Sequence, residues 1–178
     1  MRKHVFWLTS IIASSILMGC AGANIKTNKS ASYSGTLAQV LFAMPSSKEL
    51  GEDFIDEFKT QLTKEFAKRG VTLHLALLPD ALALDNGEPI DVQAQKVGAT
   101  SIMTMLPRGG RIYDGRIARA YYDIALREVN AKSLFWRGEA DLSMGTPLLL
   151  QSDSKKITAF VAEIIKALTT DGLLLSAI

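Results

Sequence analysis

The spacing of apolar residues changes along this chain, and each change of period marks a different kind of element. TLAQVLFAM, Thr36 to Met44, is almost unbroken in apolar side chains; a strand with one wet face alternates, so this run predicts a central strand covered on both faces. Pro45 ends it. Leu50, Phe54, Ile55, Phe58, Leu62 and Phe66 follow at intervals of mostly three or four, the spacing of one helix face. Ser46 and Glu49 stand before it as a capping box. Glu52, Asp53, Asp56 and Glu57 occupy the early turns and Lys64, Lys68 and Arg69 the late ones, as the helix dipole favours, and Gly70 supplies the stop. VTLHLALL, Val71 to Leu78, predicts a second strand. After a turn-rich stretch with Pro79 and Asn86-Gly87, Pro89 opens a short helix running to Val97, closed by Gly98, and Ala99 to Leu106 forms a third strand. Strand, helix, strand, helix, strand implies right-handed crossovers and parallel pairing at this end of the sheet.

The period then shortens to two. Ala120, Tyr122, Ile124 and Leu126 alternate with Arg119, Asp123 and Arg127, and Leu134, Trp136, Ala140 and Leu142 alternate with Arg137, Glu139 and Asp141. This predicts an antiparallel hairpin turning near Asn130 to Lys132, apolar on one face and charged on the other. Opposite charges facing each other across the strands attract and like charges repel. The expected register therefore sets Asp123 against Arg137, Arg119 against Asp141 and Ile124 against Trp136; the alternative, two residues away, sets Asp123 against Glu139. Ile157, Phe160, Val161, Ile164, Ile165 and Leu168 give a last helix, capped by Asp153 or Ser154 and ended by Gly172. The expected fold is α/β in the α+β sense: a single mixed sheet, element order βαβαβββα, helices packed mainly on one face, in one domain over residues 36–178.

Residues 1–35 have a different character. Arg2 and Lys3 precede the mostly apolar run Val5 to Gly19, which is shorter than the about 20 residues a spanning helix needs and is laid out like a secretory leader. Leu17-Met18-Gly19-Cys20 resembles the bacterial lipobox, with an apolar residue at minus three and a small residue at minus one before a cysteine. The resemblance implies that residues 1–19 are a signal peptide and that Cys20 carries a diacylglyceryl group and, after cleavage, an acyl chain such as palmitate on its amine. Several chains anchor durably where one binds only marginally. By the same resemblance, Ala21 in place of aspartate implies the outer membrane, with the domain facing the periplasm. Ala21 to Gly35, AGANIKTNKSASYSG, is small and polar and is expected to be a flexible tether.

Composition narrows the partners. The chain has 20 Lys and Arg against 18 Asp and Glu, and losing Arg2 and Lys3 with the leader makes the two signs equal, so charge gives no case for nucleic acid. Cys20 is the only cysteine. No disulfide is expected, and stability must come from one hydrophobic core, for which about 140 residues suffice.

Two stretches carry a fold-level resemblance. KVGATSIM, Lys96 to Met103, closes a helix on glycine and enters a buried strand; YYDIALREVNAKSLFWRGEA, Tyr121 to Ala140, is a hairpin ending in an aromatic strand. They resemble a group of bacterial envelope domains: the amino-terminal domain of TolB, the curli secretion lipoprotein and the lipoprotein activators of penicillin-binding proteins. Those proteins bind partners or assemble, so the resemblance implies a non-catalytic, lipid-anchored binding or assembly module with an envelope protein as partner. An envelope hydrolase with an unrecognised site and an accessory lipoprotein of a lipid-transport system are the alternatives.

Catalytic chemistry finds little to stand on. Beyond the leader His74 is the only histidine, so the usual zinc sets of histidine and cysteine cannot be assembled; no GxSxG elbow, Walker loop or GxGxxG accompanies it, and no cofactor is expected. His74 reads as a structural histidine and Trp136 as core. Asp80, Asp85, Glu88 and Asp91 cluster in sequence without an EF-hand spacing. The best single candidate for partner binding is PRGGRIYDGR, Pro107 to Arg116, expected as a loop with Tyr113 as anchor and Arg108, Arg111 and Arg116 as donors, since Tyr and Arg are enriched where partners anchor.

Overall fold

The computed structural model describes residues 23–45, 52–78, 88–113, 116–143 and 153–176. In chain order its elements are β1 (Ala23–Lys29), β2 (Gln39–Pro45), α1 (Glu52–Ala67), β3 (Thr72–Leu78), α2 (Ile90–Lys96), β4 (Ser101–Tyr113), β5 (Arg116–Glu128), β6 (Leu134–Ser143) and α3 (Asp153–Thr170). The six strands form one mixed sheet in the order β1-β6-β5-β4-β2-β3. β2 is parallel to both β3 and β4, and the remaining pairs are antiparallel.

The position of β2 explains its composition. Val40, Phe42 and Met44 enter the large core, which includes residues of α1 and α3, while Leu41 and Ala43 enter a smaller one with Ala94 of α2 and Ile102. With both faces covered, all five are buried, and full burial of each large side chain contributes about 1.5–3 kcal/mol. The apolar stripes of α1 and α3 meet at Phe58 and Phe160, whose rings lie 5.5 Å apart, and Tyr122 of β5 lies 6.0 Å from Phe160. Gly70 and Gly172 take φ of +72° and +69° and stop these helices. Pro89 occupies the N-cap position of α2. Ser154 lies inside α3 and donates to Glu57 of α1, joining the two helices. The expected Ser46–Glu49 capping box, Leu50, Pro79, Asp80, Asp85 and Asn86-Gly87 lie outside the described residues, as do residues 1–22 with Cys20.

Two expectations are corrected. Ala23 to Lys29 is a strand, where a tether over Ala21 to Gly35 was expected: it pairs along its whole length with β6, Ala23 opposite Leu142 and Lys29 opposite Trp136. The chain then stays on the fold. Ser30 N–H donates to Phe135 O, Tyr33 stacks on Phe135 with centroids 3.9 Å apart, and Leu37 N–H donates to Leu173 O. Burial raises the Tyr33 phenol above its usual range, helped by the charge of Glu128.

The hairpin register is the second correction. Asp123 faces Glu139, Ala125 faces Arg137 and Ile124 faces Gly138. A register shift beyond Leu126 leaves Phe135 as an extra residue on β6, a bulge that lets Phe135 and Trp136 both enter the large core. The like charges are tolerated because the neighbouring β4 supplies a cation: Arg108 lies 3.7 Å from Asp123 Oδ1 and 3.2 Å from Glu139 Oε1. Arg119 still reaches Asp141, diagonally.

Candidate interaction surface

The segment expected as a loop is the far half of a long hairpin. β4 and β5 stay paired through Arg111–Arg119 and Ile112–Ile117 to Tyr113–Arg116; only Asp114-Gly115 lies outside the described residues. The ladder shifts between Pro107 and Gly109 and again after Arg111. Proline brings no N–H to a ladder and is tolerated at such irregularities.

This arrangement divides the four predicted residues. Arg108 belongs to the outer sheet face, committed to Asp123 and Glu139. Arg111 is exposed and stands with the backbone positions of Tyr113 and Arg116 at the end of the hairpin.

α2 covers part of the second sheet face through the cluster of Leu41, Ala43, Ala76, Ala94 and Ile102. Beyond it, β5, β6 and β1 present Asp123, Arg137, Glu139, Asn24, Lys26 and Asn28, all exposed. Arg119 donates from Nε to Asp141 Oδ1 at 2.7 Å and from its second terminal nitrogen to Oδ2, and its guanidinium lies 5.4 Å from the Tyr121 ring centre. The hydrogen bond from Arg119 holds the Asp141 carboxyl below the usual carboxylate range. Asp91 is held down in the same way by Arg127, 2.7 Å away, and Glu65 by Lys68 and Arg69. Glu88 pairs with Lys96. The carboxyls of Asp141, Asp91 and Glu65 are stabilised as anions, the opposite of the raised pKa a general acid requires.

His74 sits half-buried on β3 opposite Leu41. The groove of about 730 Å³ between α1 and α3 is lined by residues such as Lys64, Glu65, Val161, Ile165 and Lys166, and His74 is not among them. Among the described residues no three His, Cys, Asp or Glu side chains are grouped as metal ligands, and no helix is long and apolar enough to cross a membrane.

Trp136, expected as core, is 1% exposed, and its indole N–H donates to Asp171 Oδ2 at 2.6 Å. Lys29 Nζ donates to the carbonyl of the same Asp171 at 2.8 Å. One residue just past α3 thus ties β6 and β1 to the helix end. Asp171 beside the predicted helix stop was visible in the sequence, but its partner 35 residues earlier had no local signal.

No protein-family model and no curated protein matches this sequence. Among solved structures, two of PelC dodecamers from Paraburkholderia phytofirmans superpose with TM-scores of 0.54 and 0.51, at 11% and 13% identity, covering 83% and 82% of this chain and 96% of theirs. Lipoprotein GNA1162 from Neisseria meningitidis gives 0.46 at 10% identity, covering 74% of this chain and 96% of that one. TolB from Acinetobacter baumannii gives 0.38 at 8%, covering 85% of this chain and 31% of TolB. At such identities the PelC likeness is one of fold.

Proposed function

We propose that this chain is a lipid-anchored, non-catalytic binding and assembly module of a bacterial envelope, held in the outer membrane by acyl chains on Cys20 with its domain in the periplasm. The observation that carries the reading is the start of the fold: Ala23, three residues after Cys20, is already paired to β6, so acyl chains on that cysteine would hold a folded domain directly against a bilayer. The carboxyls of Glu65, Asp91 and Asp141 are each engaged by neighbouring cations, which fits a structural use of those side chains. Assembly is supported by the likeness to a fold that forms dodecamers in PelC. An envelope protein or a second copy would then meet the charged outer sheet face, where Asn24, Lys26, Asp123, Arg137 and Glu139 are exposed.

The test is Cys20→Ala in the full chain. The unmodified protein should incorporate an alkyne-tagged palmitate and stay in the outer-membrane fraction through a high-salt wash, whereas the variant should be unlabelled, folded by circular dichroism and soluble. A variant that remains membrane-bound after the wash, or an unmodified chain that takes no label, overturns the reading.

A further inference from the structure

Cations on this surface mostly have acids beside them. Arg108 and Arg119 do on the outer sheet face, and Lys96 and Arg127 do around α2. The groove between α1 and α3 differs. Among the described residues that line it, Lys64, Arg69 and Lys166 are cations and Glu65 is the single acid, and Glu65 is already shared between Lys68 and Arg69. Lys166 has Glu163 at 3.3 Å, outside the lining. Among the described residues no acid pairs with Lys64, and Arg69 Nε has no acceptor. The helix dipole favours Lys64 in the last turn of α1, but Lys166 precedes the last turn of α3, which holds no basic residue.

Shape selects the occupant. Ser154 near the start of α3 donates to Glu57 near the start of α1, and the lining runs from Gln61 and Thr158 to Arg69 and Thr170, so the two helices lie side by side in the same direction. From Thr158 to Thr170 the groove is about 18 Å long at 1.5 Å per residue, room for three turns of another helix. Val161 and Ile165, which belong to the large core, form its apolar floor. Ala162 beside them is exposed and lets a partner backbone come close. Side-chain ridges of one helix seat in the grooves of others, and a helix held this way is read through apolar anchors at i, i+4 and i+7.

We infer that the α1–α3 groove docks an acidic amphipathic helix of a partner protein, its aliphatic anchors on Val161, Ala162 and Ile165 and its carboxylates on Lys64, Arg69 and Lys166. The inference rests on the binding role proposed above and names the chemistry of a partner; it needs no lipid anchor. It places that partner on the helical layer, across the sheet from the charged outer face.

The Cys20→Ala full chain is titrated into a fluorescein-labelled peptide of about 14 residues, with leucines at i, i+4, i+7 and i+11 and glutamates flanking them, and into a twin with lysine for every glutamate. Fluorescence anisotropy should show the acidic peptide bound about tenfold more tightly than its twin. Lys64→Glu together with Lys166→Glu should weaken the acidic peptide about tenfold and strengthen the twin, a reversal that misfolding cannot produce. Ala162→Trp, at an exposed helix position, should abolish binding with an unchanged circular dichroism spectrum, and Arg137→Glu on the outer sheet face should leave binding as it was. Equal binding of the two peptides, no binding of either, or binding untouched by Ala162→Trp overturns the inference. Loss with Arg137→Glu alone also overturns it and moves the helix to the outer sheet face. The fractionation of Cys20→Ala decides the anchor and this titration decides the groove, so either fails without the other.

Discussion

Gly138 is small because Trp136 occupies the space beside it. A Cβ at position 138 would stand 2.6 Å from the indole Cη2 and 3.2 Å from Ile25 Cγ2, and the indole cannot swing aside without giving up its hydrogen bond to Asp171. Gly138→Ala should therefore destabilise the domain by about 1–3 kcal/mol, the usual cost of overfilling a packed site, and differential scanning calorimetry would show it as a lowered Tm. An unchanged Tm would mean that the ring moves freely. Asp141 is tested by pH. Its carboxyl is held below the usual range by Arg119, and such a group adds stability above its unfolded pKa that is lost as pH falls through the folded one. The unmodified chain should thus unfold at higher denaturant than Asp141→Asn at pH 7, and the difference should close as pH falls below about 4. A gap that persists at low pH would assign the effect to something other than the charge.

At the level of elements, what could be read in the sequence was whatever buries a periodic face. β2, α1 and α3 bury whole runs or stripes, and their positions follow from the spacing alone. β1 does not: of ANIKTNK, Ala23 and Ile25 are the apolar residues, both only half-buried on the core side, so the strand exists because β6 has a free edge and not because its own pattern demands it. The register of β5 against β6 escaped for a related reason. Pairwise charge within the hairpin favours Asp123 opposite Arg137, but Arg108 comes from a third strand and the extra residue at Phe135 is invisible to a period of two. The hairpin of β4 and β5 was cut short at Pro107 because proline and paired glycines signal a loop; here they mark irregularities within a ladder that continues. A strand and a tether predict opposite results for truncation. Removing residues 21–29 from the Cys20→Ala chain should cost about 2–5 kcal/mol, since it uncovers Trp136 and deletes the Lys29 contact with Asp171, and limited proteolysis should then cut near β6. Cutting a tether would leave the unfolding midpoint where it was.

Across the whole molecule the two edges of the sheet are treated differently. β1 is polar, with Asn24, Lys26 and Asn28 exposed, and lysine on an edge discourages another strand from adding to it. β3 reads TLHLALL, and Leu75 is 44% exposed; among the described residues no strand pairs with its outer side. Unpaired N–H and C=O groups beside an apolar side chain are a template for another strand. With 20 Lys and Arg against 18 Asp and Glu, the chain carries little net charge and copies repel one another only weakly. Concentration-dependent self-association is therefore expected through β3 and not through β1. In the Cys20→Ala chain, Leu75→Lys should shift sedimentation velocity toward the monomer while changing stability by no more than about 0.5 kcal/mol, as for an exposed position. Asn28→Lys on β1 serves as the control and should leave the distribution unchanged. If both substitutions act alike, general charge and not the β3 edge governs association; if neither acts, copies meet elsewhere, and the outer sheet face around Asp123, Arg137 and Glu139 becomes the next surface to alter.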